Sequence, residues 1–279
     1  MKRLLPLLAL VIFFSSCKEV IDLEIDQGPV RLVVDGMITD EPGPYSVRLT
    51  NTTSFTDENS VPVVDDALVI LKSSIDEIDT LNYTADGVYQ TNFIQGGYGI
   101  DYQLYIQTID GNEYETFPEE IRPMGDIDSL VLLDKEQLGG GSFFVDGLYP
   151  VISYVELPGT DYVRWKTYRN DTLLNAPSDL SIENDEGFIG DTIYVDQRPI
   201  SFTPFKETDK VTIERVSLTR AAHDFWLSVG SQTSNSGTPF DTPPAPIKGN
   251  VYNINDSKDL VLGFFGASSV KRISATYQQ

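Results

Sequence analysis

Apolar and polar residues alternate in short stretches along most of the chain, and Gly, Pro, Asn or Asp separates one stretch from the next. A period of two puts neighbouring side chains on opposite faces of a strand, so each stretch reads as a half-buried β-strand. Ile21, Leu23 and Ile25 alternate with Asp22, Glu24 and Asp26 until Gln27-Gly28-Pro29. Strands are expected at residues 30–39 and 45–50, across the Pro42-Gly43-Pro44 turn, and a polar loop at 51–60. Further strands are expected at 67–72, 80–84, 87–91, 102–108 and 113–117. The last two flank Asp110-Gly111-Asn112, where Asp-Gly suits the positive φ of a hairpin turn. So many short strands at this spacing predict an immunoglobulin-like or transthyretin-like β-sandwich over residues 28–122.

Pro118 and Pro123 bracket an acidic connector, and residues 123–279 read as a second β-rich domain. Its strands are expected at 128–133, 149–157, 162–168, 210–218, 260–265 and 270–277, while residues 171–200 show no clear period. Within 162–168, Tyr162, Arg164, Lys166 and Tyr168 share one face and Val163, Trp165 and Thr167 the other. Trp165 in mid-strand resembles the core tryptophan of a fibronectin type III sandwich. One helix is predicted, at about 220–232, where Ala222, Phe225, Trp226 and Val229 form a stripe at i, i+3, i+4 and i+7. Residues 237–246 follow as a polyproline-leaning loop, either a rigid surface crossing or a partner-docking segment.

The first seventeen residues break the strand pattern. Lys2 and Arg3 precede an apolar run from Leu4 to Phe14, then Ser15-Ser16-Cys17. A cationic start, a short apolar core and small residues before the cut describe a secretory signal at 1–16. The run is too short for a membrane span, which needs about 20 apolar residues. Phe14-Ser15-Ser16-Cys17 resembles a lipobox, so Cys17, the single cysteine, is the expected lipidation site. Two or more acyl chains give stable anchoring where one is marginal. Residues 17–27 then form a lipidated, acidic tether, and a partial match to the acidic tract of exported lipoproteins favours the cell surface of the outer membrane.

Composition narrows the chemistry. The chain carries 42 acidic and 20 basic residues, a net charge of −22. Nucleic-acid binding, which needs basic patches to displace counterions, is excluded as an expectation. With one Cys and one His, the thiol nucleophiles, zinc clusters and most triads are unavailable. His223 reads as a partly exposed helix residue. Asp126 and Asp128, or Glu183, Asp185 and Glu186, are candidate oxygen donors for Ca²⁺ without EF-hand spacing. Asp65-Asp66 and Glu119-Glu120 are adjacent acids of the kind chance supplies in so acidic a chain. Tyr162 and Tyr168 are candidates for stacking on a sugar or at an interface.

The stretch Val30-Arg31-Leu32-Val33-Val34-Asp35-Gly36-Met37-Ile38-Thr39, continuing to Gly43-Pro44-Tyr45, resembles the opening of a Bacteroidota lipoprotein family known as domain of unknown function 4249. Asp86-Gly87-Val88-Tyr89, Gly99-Ile100-Asp101-Tyr102, Gly249-Asn250-Val251-Tyr252-Asn253 and Val261-Leu262-Gly263-Phe264-Phe265-Gly266-Ala267 extend the resemblance over nearly all of the mature chain. It implies an outer-membrane lipoprotein, accessory to a TonB-dependent transporter, and assigns no catalytic residue; the leading expectation is a non-enzymatic accessory or binding protein without a cofactor. A structural or adhesive surface protein, and a glycan hydrolase using paired carboxylates, are the alternatives.

Overall fold

Strand alternation becomes burial in the computed structural model, which describes residues 28–53, 61–140, 144–186, 193–234 and 245–277. In the strand at 101–107, Tyr102, Leu104 and Ile106 are buried and the residues between them face outward. The expected strand at 21–26, Cys17 and its signal, and residues 237–244 of the proline-rich loop lie outside the described residues.

The chain runs β1 (Leu32–Thr39), β2 (Ser46–Asn51), β3 (Leu68–Ser73), β4 (Ile78–Thr80), β5 (Asn82–Tyr83) and β6 (Val88–Gln90). Next come β7 (Asp101–Gln107), β8 (Glu113–Thr116), β9 (Glu119–Glu120), β10 (Ile127–Asp134), β11 (Leu148–Glu156) and β12 (Tyr162–Arg169). β13 (Thr172–Leu173), β14 (Ser181–Asn184), β15 (Ile193–Pro199) and β16 (Lys210–Leu218) lead to helix α1 (Arg220–Thr233). β17 (Val251–Asn253), β18 (Leu262–Ser268) and β19 (Val270–Thr276) close the described chain.

Two sandwiches result. In the first, the sheet β18-β1-β2-β6-β5 packs on β17-β8-β7-β3-β4, with β9 beside β7. Val34, Leu49 and Tyr89 from one sheet meet Val69, Leu104 and Ile106 from the other. β17 and β18 come from the C-terminal stretch, yet they complete this N-terminal sandwich: Val251, Phe265 and Ala267 are buried in its core. β18 pairs parallel to β1, placing Val33 beside Leu262 and covering a strand edge otherwise open to other chains. Two glycines of the C-terminal motif make this possible. A Cβ at Gly263, where φ is +88°, would lie 1.9 Å from the Val34 carbonyl oxygen, and one at Gly249 would lie 1.5 Å from the Gly263 carbonyl oxygen.

The second sandwich packs β10-β11-β15 on β13-β12-β16-β19, with β14 also paired to β12. Its core holds Leu132, Ile152, Tyr154, Trp165 and Ile213. Trp165 is 1% exposed, on the face that the alternation of residues 162–168 assigns to the interior. The region 171–200 yields three strands, two of which share one edge of β12. Segments of two and four residues are too short to carry a readable period.

The mostly-β sandwich architecture, with one α-helix among the described residues, is thus observed, and α1 falls where its apolar stripe predicts. Thr219 caps it, its Oγ1 accepting from the Ala222 amide at 3.1 Å. None of the described helices is long and apolar enough to cross a membrane. α1 lies between the sandwiches, so the outer faces of β12 and β16 look across it at the outer faces of β1 and β18: Tyr162, Val216, Leu218, Ala222 and Phe264 form one apolar cluster there. Only Ser269 separates β18 from β19 as the chain passes from one sandwich to the other.

Glu119 pins the same junction. The sequence places it in an acidic connector, where solvent exposure is the expectation; it is instead 2% exposed, because β9 tucks it under β18 and the cap of α1. The Thr219 hydroxyl and Asn250 Nδ2, the latter at 3.2 Å, donate to its two oxygens. Burial outweighs these bonds and pushes its carboxyl from 4.5 up to about 7. A raised acid pKa penalises the folded state once the unfolded chain ionises. Stability should therefore fall as pH rises from 4.5 to about 7, by up to about 3 kcal/mol, and level off above. Urea unfolding of Glu119→Gln across pH 4–8 should show that slope flattened. An unchanged slope would mean that the proton is held elsewhere. Thr219→Ala removes the helix cap and a partner of Glu119 together, and should cost about 1–2 kcal/mol in the same measurement.

Candidate functional site

Two recesses concentrate polar side chains on apolar walls. The first lies within the second sandwich and measures about 250 Å³; Tyr154, Val163, Val195, Glu183, Asn184 and Arg198 line it beside a carboxylate group. β11, the turn before β12 and the turn after β14 bring one oxygen each from Glu156, Asp161 and Asp185 within 4.8 Å of one another. Burial, then the neighbouring Glu156 and Asp185 carboxylates, push the Asp161 carboxyl up to about 6, against the pull of Arg215 and Arg122. Its Oδ2 is buried with no hydrogen-bond partner. The Asp161 amide donates to Asp185 Oδ1 at 2.6 Å, and Arg215 Nη2 donates to Glu156 Oε2 at 2.5 Å.

Of the residues proposed from sequence as Ca²⁺ donors, Asp185 alone joins this group. Glu183 accepts from Arg198 and from the Trp165 indole N–H. Glu186 accepts from the Tyr162 hydroxyl at 2.7 Å, Asp126 pairs with Lys271 at 2.9 Å, and Asp128 accepts from Tyr194 at 3.0 Å. Glu156 and Asp161 carry no sequence signal, because strand pairing rather than spacing unites them with Asp185. The trio could meet a cation, but Glu156 is committed to Arg215, so it offers fewer free oxygens than the roughly six to eight Ca²⁺ takes.

The second recess is a cleft of about 540 Å³ between the sandwiches. β1 contributes Val33, Asp35 and Met37, β18 contributes Phe264, β12 contributes Arg164, and α1 contributes Phe225, Trp226 and Val229. The alternation on β1 buries Val34 and Ile38 in the first core, which turns Val33, Asp35 and Met37 outward. Phe225, Trp226 and Val229 are half-buried, so the helix stripe is only partly covered. The Arg164 guanidinium lies 3.8 Å over the Trp226 ring. Its Nε is buried without a partner, and among the described residues the side chain has no hydrogen bond or ion pair. Lys166, two positions along β12, is bound to Glu214 at 2.8 Å, and Glu214 also takes Arg272 at 2.6 Å.

The tyrosine face proposed for stacking is covered. Tyr162 is 6% exposed beneath α1, and the Tyr168 hydroxyl donates to Glu214. His223 is not a partly exposed helix residue either. It is buried, its ring 4.9 Å from that of Tyr162, with Asn184 Nδ2 3.3 Å from Nε2. In both cases the helix packs its inner face on β12, and periodicity along one element carries no information about which neighbour covers it.

Residues 18–274 match the family model described as Domain of unknown function (DUF4249). No curated protein matches the chain.

Proposed function

Because the chain belongs to the DUF4249 family, whose description names no activity, we propose a lipid-anchored, non-enzymatic binding or accessory protein of the outer membrane, working, as the family resemblance implies, beside a TonB-dependent transporter. The observation that supports the binding part of this reading is the open cleft between the sandwiches. Its size falls in the range of small-molecule sites, and it combines apolar walls with a few polar groups, the usual composition of such sites. Anchoring rests on Phe14-Ser15-Ser16-Cys17. The ten residues from Lys18 to Gln27 reach at most about 35 Å when extended, which keeps the sandwiches near the membrane surface.

Two experiments test the reading. Cys17→Ala should move the protein from the membrane fraction to the soluble fraction; continued membrane retention would remove the anchor. Affinity capture of the tagged, lipidated protein from detergent-solubilised outer membranes should recover a TonB-dependent barrel in near-equal amount. Recovery of the lipoprotein alone, under conditions that keep other barrel complexes intact, would overturn the transporter association.

A further inference from the structure

A guanidinium that lies over an aromatic ring but makes no hydrogen bond or ion pair among the described residues, inside a mainly apolar cleft, leaves its N–H donors open to an anion. We infer that the cleft between the sandwiches binds an amphiphilic monocarboxylate of the medium-chain fatty-acid class, its carboxylate held by Arg164 and its chain lying against Val33, Met37, Phe225 and Phe264. The inference rests on the binding-protein reading and names its ligand.

The Trp226 ring lies 3.8 Å from the guanidinium carbon and covers one side of it. A planar fork of donors matches the two oxygens of a carboxylate. The competing carboxylates do not fill the role. Glu214 is occupied by Lys166, Arg272 and the Tyr168 hydroxyl. Asp35, on β1, is exposed and forms no ion pair with Arg164, on which it acts only through space. Burial lowers the pKa of Arg164, opposed by Tyr168, Glu214 and Asp35, yet an arginine keeps its charge in proteins.

The same surroundings limit the ligand's charge. A chain of net charge −22, with Asp35 and Glu214 around the cleft, repels phosphates and dicarboxylates more than a single carboxylate. Affinity must then come mostly from apolar burial. A volume of about 540 Å³ holds a chain of about ten carbons with room for its head group.

The test uses the mature chain from residue 17 with Cys17→Ser, which keeps every other residue and needs no detergent. Decanoate and decanol are titrated by calorimetry and by tryptophan fluorescence, to which Trp165 and Trp226 both contribute. Decanoate should bind at micromolar concentration and decanol at least tenfold more weakly. Arg164→Gln should weaken decanoate at least tenfold and leave decanol unchanged, with an unaltered thermal transition. Asp35→Asn lies at an exposed strand position; it should tighten decanoate at least twofold without affecting decanol, and it decides the matter if Arg164→Gln does not fold. Equal affinity for decanoate and decanol, or decanoate affinity indifferent to the substitution at Arg164, would overturn the role of the guanidinium. No binding of decanoate at millimolar concentration would overturn the ligand class. If the barrel is still captured in that case, the accessory reading survives and only the ligand falls.

Discussion

Replacing Arg215 with methionine is expected to cost about 3–5 kcal/mol of stability, the range found when one partner of a buried ion pair is removed. Arg215 is fully buried in the second sandwich. Its Nη1 donates to the carbonyl oxygens of Gly125 at 3.1 Å and Val155 at 2.9 Å, and its Nη2 to Glu156. The rings of Tyr154 and Trp165 lie 4.6 Å and 5.3 Å from the guanidinium. Methionine can occupy the space between the rings. It leaves two buried carbonyls without a donor and the Glu156 carboxylate beside Asp161 and Asp185 without its counter-charge. Urea unfolding at pH 7 should show a midpoint lowered in proportion, with the slope unchanged. The paired variant Arg215→Met with Glu156→Met should recover much of the loss, since a buried ion pair replaced whole by apolar residues is often neutral. A single variant losing less than about 1 kcal/mol would show that the guanidinium is dispensable to the sandwich.

Asp79→Ala is expected to be nearly as damaging, at about 3 kcal/mol, because several hydrogen bonds to a charged acceptor vanish together. Asp79 has no exposed surface. Its Oδ2 accepts from the amides of Asn92, Phe93 and Ile94 at 2.8, 2.9 and 3.2 Å, and its Oδ1 from Asn92 Nδ2 at 2.8 Å. Burial alone would raise its pKa. The amides of Phe93, Asn92 and Ile94, with the Asn92 side chain, outweigh burial and hold the carboxyl below its ordinary 3.8. A lowered acid pKa gives stability that is fully present above 3.8 and is lost as pH falls through the folded value. The wild-type protein should therefore lose part of its stability on acidification below 3.8, and Asp79→Ala should lose less over that interval. Unfolding midpoints at pH 3 and pH 7 check both signs. An alanine variant as acid-sensitive as wild type would place that proton uptake on other carboxylates.

Much of the fold was legible because a half-buried strand writes its period into the sequence. The face division of residues 162–168 needs only alternation, and Trp165 lies in the core as that division requires. Helix α1 was legible because its apolar stripe is a local signal; it runs through Gly230 and ends at Thr233. Less of the candidate site was legible. Arg164, Phe225, Trp226 and Val229 were each assigned a face, but nothing in the sequence brings β12, α1, β1 and β18 to one cleft. Asp185 stood out as an acid; Glu156 and Asp161, each isolated in sequence, did not.

The sequence by itself determined the strand character of the chain, the helix at Arg220–Thr233, the acidic charge and the chemistry available, with one thiol at Cys17 and one imidazole at His223. These are properties of composition and of short windows, set by the geometry of the backbone. The tertiary structure alone decided that β17 and β18 return to the N-terminal sandwich, that the ionisable side chains of Glu119 and Arg215 are buried, and that Arg164 lies on Trp226 without an ion pair. Burial and ion pairing depend on which segments pair across hundreds of residues. The free energy that selects those pairings is summed over the whole core, so no local window contains it.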